Sequence, residues 1–302
     1  MLLAVLPAHA FAHDDDPPLG SVPVADTPAP PRGAELWLPL GSVIVPGLGQ
    51  YAQGATRAGL AYTGASAGGY ATFLLVGSNL SLDDLDDISA RDELGAWAVQ
   101  LGQDAGLLSA YDSFHRSLPA LQAQGKYTFL ARHDSTAALL KAPFEVSFLK
   151  RKSSYIPAAL VLAAVVAARA VGPGEGREFA PVHPHDGLFA LGLSYNAGVA
   201  EEALFRGYMM PVFRQHLGQR ALPANALQSA FFAAAHGTLD PARLGFLFVS
   251  GLYDGHLVNR NKGSVRQTVF NHFVWDVLAV TGTLLTRERD RPAVYRAITI
   301  RF

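Results

Sequence analysis

The sequence predicts an all-α, polytopic transmembrane helical bundle of about six to eight spans, and three observations carry that reading. Half of the 302 residues are hydrophobic and only 16% are charged, against roughly 25% charged in soluble domains. The mean hydropathy is positive, at +0.18. The apolar residues gather in helix-length runs separated by charged or Gly/Pro-rich stretches, not in the alternation that marks strands.

Met1 to Ala8 resembles the apolar core of a secretory signal, and Ala10-Phe11-Ala12 fits a small-x-small cleavage site, so residues 1–12 are expected to be a signal peptide. Residues 13–36, rich in Asp and Pro, read as a disordered polar linker. Residues 37–154 form an N-terminal membrane hairpin and a basic loop. Trp37 to Ile44 is apolar and ends in the turn signal Pro46-Gly47-Leu48-Gly49-Gln50-Tyr51; Ala58 to Val76 follows as a candidate span. Gly64 and Gly68 stand there at the small-xxx-small spacing that lets helices pack closely in lipid. An acidic loop (Asp83, Asp84, Asp86, Asp87, Asp92, Glu93) precedes a weaker apolar stretch, Leu94 to Ala110.

The next loop is basic, with Arg116, Lys126, Arg132, Lys141, Lys150, Arg151 and Lys152. Cytoplasmic loops carry the Lys/Arg excess of membrane proteins, so this loop is expected inside and the acidic loop outside. Tyr155 to Val171 is the clearest span; a hydrocarbon core of ~30 Å takes about 20 helical residues. Leu188 to Met210, Ala224 to His236, Leu244 to Val258 and Val269 to Leu285 complete a core over residues 155–290, and residues 291–302 form a C-terminal tail.

Glu201, Glu202 and Arg206 interrupt the apolar run Leu188 to Met210. Ionisable residues inside a span are costly and usually face a bundle interior or a watery cavity. Glu202 and Arg206 stand i,i+4 and can pair on one helix. Glu201 points about 100° away from Glu202, which leaves one carboxylate for chemistry. Phe232 and His236 lie on a later helix among small residues, and His272 and Asp276 share one face of the last span at i,i+4. Each element alone fits a structural role; His256, near Arg260, reads as an interfacial side chain.

The three elements together, in this order and spacing, resemble the CAAX protease and bacteriocin-processing family of intramembrane endopeptidases. The resemblance covers about Tyr155 to Thr286 and rests on Glu201, Glu202, Arg206, Phe232, His236, His272 and Asp276. The family commonly carries Asn at the position of Asp276. The resemblance implies hydrolysis of a peptide bond by an activated water, with Glu201, Glu202, Arg206, His236, His272 and Asp276 as the catalytic set. Two arrangements are open. Glu201 is the general base on a water shared with His236, with His272 holding the oxyanion; or Glu201, His236 and His272 ligate zinc or another divalent metal. The sequence lacks His-Glu-x-x-His, the strongest helical zinc-protease signature, which favours the glutamate base.

The expected partners are a peptide or protein substrate at the membrane and the lipid bilayer, in a multi-pass protein of a bacterial-type inner membrane. The net charge of −1 offers no attraction for nucleic acid, and the absence of Cys excludes disulfides and thiolate ligands. A non-proteolytic membrane scaffold or immunity-type protein on the same fold is the main alternative. A transporter is the third, though the sequence shows no paired repeats of the kind transporters often carry. The orientation is directly testable in this Cys-free chain: an impermeant thiol reagent should label Asp86→Cys and not Lys126→Cys in intact cells, and the opposite pattern reverses the topology.

Overall fold

The computed structural model describes residues 34–76, 89–172, 178–179 and 181–286. The expected signal peptide, most of the linker, the Asp83 to Asp87 part of the acidic loop and the tail at 291–302 lie outside the described residues.

Every regular element among the described residues is a helix, so the all-α expectation holds. The order is α1 (Ala34–Ile44), α2 (Leu48–Ala52), α3 (Thr56–Val76), α4 (Ala90–Ala123), α5 (Thr136–Lys141), two 3-10 turns (Ala142–Phe144 and Val146–Lys150) and α6 (Lys152–Val171). Next come α7 (Pro184–Glu202), a π-helical turn (Ala203–Met209), α8 (Met210–His216), α9 (Ala221–Ala235), α10 (Pro241–Arg260) and α11 (Arg266–Thr286).

The 34-residue α4 is the central post, about 50 Å long at 1.5 Å per residue. Its start is set by a capping box between Ser89 and Asp92. Three neighbours read off its length. α1 and α2 form a hairpin that folds back against its second half: Gln50 Nε2 donates to Ser109 O (2.8 Å) and Asp112 Oδ2 (2.9 Å). α3 runs antiparallel, with Ser66 Oγ donating to Gly102 O at 2.9 Å. α7 runs parallel to α4, from a contact of His185 with Glu93 at 2.8 Å to one of Gln100 with Leu193 O at 3.3 Å. Mostly apolar side chains such as Phe114, Leu118, Tyr208 and Val199 fill the spaces between these helices.

The stretch expected as one basic loop is partly helical: Arg116 lies inside α4 and Lys141 ends α5. Lys126 pairs with Glu35 at 2.6 Å and Arg116 with Asp112 at 2.7 Å; Arg266 also binds Glu145. Asp134 ties the loop after α4 to the start of α11, accepting from Val265 N at 2.7 Å and Ser264 Oγ at 3.1 Å. Burial pushes its carboxyl above the ordinary range, and those hydrogen bonds pull it partly back.

Two helices, α6 and α11, are long and apolar enough to cross a membrane by length and composition. Only 6% of the apolar window of α6 is buried, so its aliphatic side chains face outward; α11 has 44% buried and forms part of the core. The expected count of about six to eight spans is not reached by this measure. The other long helices dilute their apolar residues with Gly, Ser, Thr or buried charge, which lowers their hydropathy without shortening them.

The packing expected of Gly64 and Gly68 is corrected. Both face open space. The face of α3 that meets α4 is one residue on, where a Cβ on Gly69 would sit 2.6 Å from Ala98 O and 2.7 Å from Gly102 N. Small i,i+4 pairs that do pack are Gly251 and Gly255 on α10, against Ser229 and Asn225 of α9, and Gly102 and Gly106 on α4, against Tyr70 and Val43. Spacing marks a small face but not which face is turned inward. Gly69→Ala should therefore destabilise the detergent-solubilised protein by about 1–3 kcal/mol through overpacking, while Gly64→Ala should be neutral or slightly stabilising through helix propensity. Equal melting temperatures for the two variants would contradict this packing.

Candidate active site

The six expected residues come from three helices and the π turn. Glu201 and Glu202 end α7, Arg206 sits in the π turn, His236 caps α9, and His272 and Asp276 lie on α11. π segments often occur at functional sites, and this one follows the two glutamates directly. α7 can approach α11 because residue 198 is Gly: a Cβ there would lie 2.9 Å from Phe273 N.

Glu202 and Arg206 form the floor. Both are fully buried, with Oε1 to Nη1 at 2.9 Å. The same Oε1 accepts from His272 Nδ1 at 2.9 Å. The Arg206 guanidinium lies 4.1 Å over the Phe232 ring, a cation–π contact, and its Nη2 is 3.9 Å from Asp254 Oδ2. Phe232 also stands edge-on to His236, with centroids 4.7 Å apart. One aromatic ring thus supports both the cation and a candidate catalytic imidazole.

Glu201 takes the other direction. Its Oε2 is buried with no hydrogen-bond partner among the described residues, and two imidazoles face it: His236 Nε2 at 3.9 Å and His272 Nε2 at 3.8 Å. These gaps are too long for direct hydrogen bonds. The ring orientations follow from the far nitrogens. His236 Nδ1 lies 2.8 Å from Phe232 O, which can only accept, so Nδ1 carries a proton and Nε2 is the atom turned toward Glu201. His272 Nδ1 donates to a carboxylate, and its Nε2 also faces Asp276 Oδ2 at 3.3 Å. Side-chain exposure rises outward, from 4% at Glu201 to 12% at His272, 16% at His236 and 34% at Asp276. Asp276 is the mouth and Glu201 the bottom.

The geometry admits two occupants. A water oxygen about 2.8 Å from each of two atoms 3.8–3.9 Å apart subtends an angle just under 90°. Around tetrahedral zinc, ligand atoms at ~2.1 Å stand about 3.4 Å apart, a few tenths of an ångström closer than here. Glu201, His236 and His272 have the donor chemistry for a divalent ion, but their three ligand atoms do not gather within 4.8 Å of one another, so an ion would require the two imidazoles to close together.

Several site neighbours escaped sequence reasoning. Asp254 (3% exposed) sits inside an apolar run on α10, and Asp104 (2%), inside one on α4, is within electrostatic reach of Glu201. An acidic residue within an apolar run was the available signal. Asn196, fully buried one turn and a half before Glu201, has neither side-chain polar atom paired among the described residues. The candidate His256 is exposed.

Residues 184–278 match a family model, described as "Type II CAAX prenyl endopeptidase Rce1-like". The match runs from the first residue of α7 into α11 and contains all six residues of the cluster. Neither the curated proteins nor the solved structures give a match.

The floor and the facing carboxylate should separate experimentally. Glu202→Gln and Arg206→Ala each leave a buried charge unpaired, a loss on the order of 3–5 kcal/mol, and should lower the melting temperature in detergent sharply. Glu201→Gln should melt near wild type. If Glu201→Gln is the unstable variant and Glu202→Gln the stable one, the two roles are exchanged.

Proposed function

We propose that this chain is an intramembrane endopeptidase, a multi-pass protein of a bacterial-type inner membrane that hydrolyses a peptide bond in a membrane-associated peptide or protein. The observation that carries the proposal is the buried, hydrogen-bond-free Glu201 Oε2 faced by two imidazole Nε2 atoms. It lies inside a segment that matches a protease family model. A scaffold gains nothing from a carboxylate oxygen left unpaired beside two imidazoles, since a buried unsatisfied group costs ~1–3 kcal/mol or more.

In this reading a water sits between Glu201 and His236. Glu201 removes its proton as the oxygen attacks the scissile carbonyl carbon. His236 accepts the water's second hydrogen bond on Nε2, its tautomer fixed by Phe232 O. The carbonyl oxygen becomes an oxyanion, and the imidazolium of His272 donates Nε2–H to it, oriented by Glu202 through Nδ1. Before substrate binds, Asp276 is the partner of that Nε2–H. Collapse of the intermediate breaks the C–N bond, and the proton held by Glu201 passes to the leaving amine. Glu202 and Arg206 are positioning residues that keep His272 in register.

The second reading is metal-assisted, favoured by both Nε2 atoms facing one carboxylate oxygen. Glu201, His236 and His272 would hold the ion, which supplies Lewis-acid activation of water.

Purified protein given a peptide library in H2(18)O should release fragments whose new carboxyl groups contain 18O. Glu201→Gln should reduce cleavage at least ~100-fold, and His236→Ala and His272→Ala should act similarly while the proteins still accumulate. Full turnover by Glu201→Gln overturns the proposal. One zinc per chain more in the wild type than in Glu201→Gln and in both histidine variants selects metal assistance over the glutamate base.

A further inference from the structure

A second group of titratable side chains lies far from the cluster just described. Glu93, in the first turn of α4, and His185 and Asp186, in the first turn of α7, bring one ligand atom each to within 4.8 Å of one another. His185 Nδ1 is 2.8 Å from Glu93 Oε2 and 3.6 Å from Asp186 Oδ1. Glu93 is 5% and Asp186 1% exposed. Asp186 Oδ2 is committed to capping α7, accepting from His183 N at 2.7 Å. Its Oδ1 and Glu93 Oε1 are buried and receive no hydrogen bond from an N–H or hydroxyl donor among the described residues, and the two carboxyls stand within reach of each other.

Two buried carboxylates and one imidazole leave a net negative charge even when the imidazole is protonated. The N-terminal dipoles of α4 and α7 offset part of it, but they deliver no hydrogen atom to the two orphaned oxygens. Among the described residues, no Arg or Lys is paired with either carboxylate. Such a pair is stable only with a shared proton or a bound cation. The imidazole in the group, and separations of 2.8 and 3.6 Å that bracket the ~3.4 Å between ligands of a tetrahedral ion, suit a metal. Two carboxylates with one imidazole select a borderline divalent ion such as zinc.

We infer that Glu93, His185 and Asp186 form a divalent-cation site that clamps the start of α4 to the start of α7. Asp186 precedes Glu201 by fifteen residues on one helix, which puts the site about 22 Å from the proposed base. It is therefore separate from the Glu201, His236 and His272 set and does not depend on the proposed hydrolysis. His185, a third exposed, gives the ion its route in from solvent. The ion fixes the mutual height of the parallel helices α4 and α7, and thereby the level at which Glu201 is held.

The test uses full-length protein in detergent, stripped by a chelator and titrated with Zn2+ by calorimetry and with Co2+ by visible absorption. The Glu201→Gln/His236→Ala double variant, which lacks two of the three candidate active-site ligands, should still bind one ion per chain and melt higher with it. Glu93→Gln and His185→Ala placed on that background should weaken binding at least tenfold while the metal-free proteins keep the same helical circular dichroism. His185→Ala removes a partly exposed ring, so it reports on the site even if Glu93→Gln disturbs folding. Absence of binding in the double variant overturns the proposal, as does binding that survives His185→Ala undiminished. Loss of peptide cleavage alone leaves this result unaffected, so the two readings fail separately.

Discussion

The buried triangle of Glu202, Arg206 and His272 is the constraint on which the site depends. Arg206 is fully buried, and a lone guanidinium in that position would be prohibitive; it is tolerable because Glu202 stands at 2.9 Å and the Phe232 ring at 4.1 Å. The same Glu202 oxygen holds His272 at 2.9 Å. One carboxylate thereby ties the end of α7, the π turn and α11 together. Breaking an ion pair of this kind costs more than forming it returns, so its effect is to fix one arrangement rather than to add much stability. The adjacent Glu201 is placed by that frame but excluded from it, because neighbouring helical residues point about 100° apart.

Exposure and chemistry run in the same direction from this floor. Glu202 and Arg206 are sealed, Glu201 is nearly so, the two histidines are partly open and Asp276 faces outward. A group proposed to take a proton from water suits a low-dielectric position beside more open groups, and Glu201 is buried next to the partly exposed His236 and His272. Along the parallel helices α4 and α7, buried polar atoms of Gln100, Asp104, Ser194 and Asn196 also lack protein partners among the described residues. Such atoms in native interiors usually bond ordered water. They form a polar seam between the proposed cation site at one end and Glu201 further along.

Much of the fold was legible because helix-length apolar runs and turn residues are local signals. The run at Tyr155 to Val171 became α6, and the turn signal at Pro46 to Tyr51 became the break between α1 and α2, although Leu48 onward is helical. The pairing of Glu202 with Arg206 followed from i,i+4 spacing alone. Facing was not legible. Gly64 and Gly68 have the right spacing and the wrong side, since only the partner helix decides which side is covered. Asp104, Asp254 and Asn196 were missed because nothing local shows which elements each lone polar residue faces; Asp254 meets Arg206 only through the fold. The cluster of Glu93, His185 and Asp186 was missed for the same reason: ninety-two residues separate Glu93 from His185.

The central claim is that Glu201 performs chemistry inside a frame built by its neighbours. Its most direct test is the peptide content of membranes from cells carrying the wild-type chain or Glu201→Ala at matched protein levels. Semi-quantitative mass spectrometry should find a defined set of membrane-protein fragments in the wild type that is missing with Glu201→Ala, with the intact parent proteins correspondingly increased. Identical fragment sets in the two membranes would contradict the account and return the buried cluster to a purely structural role.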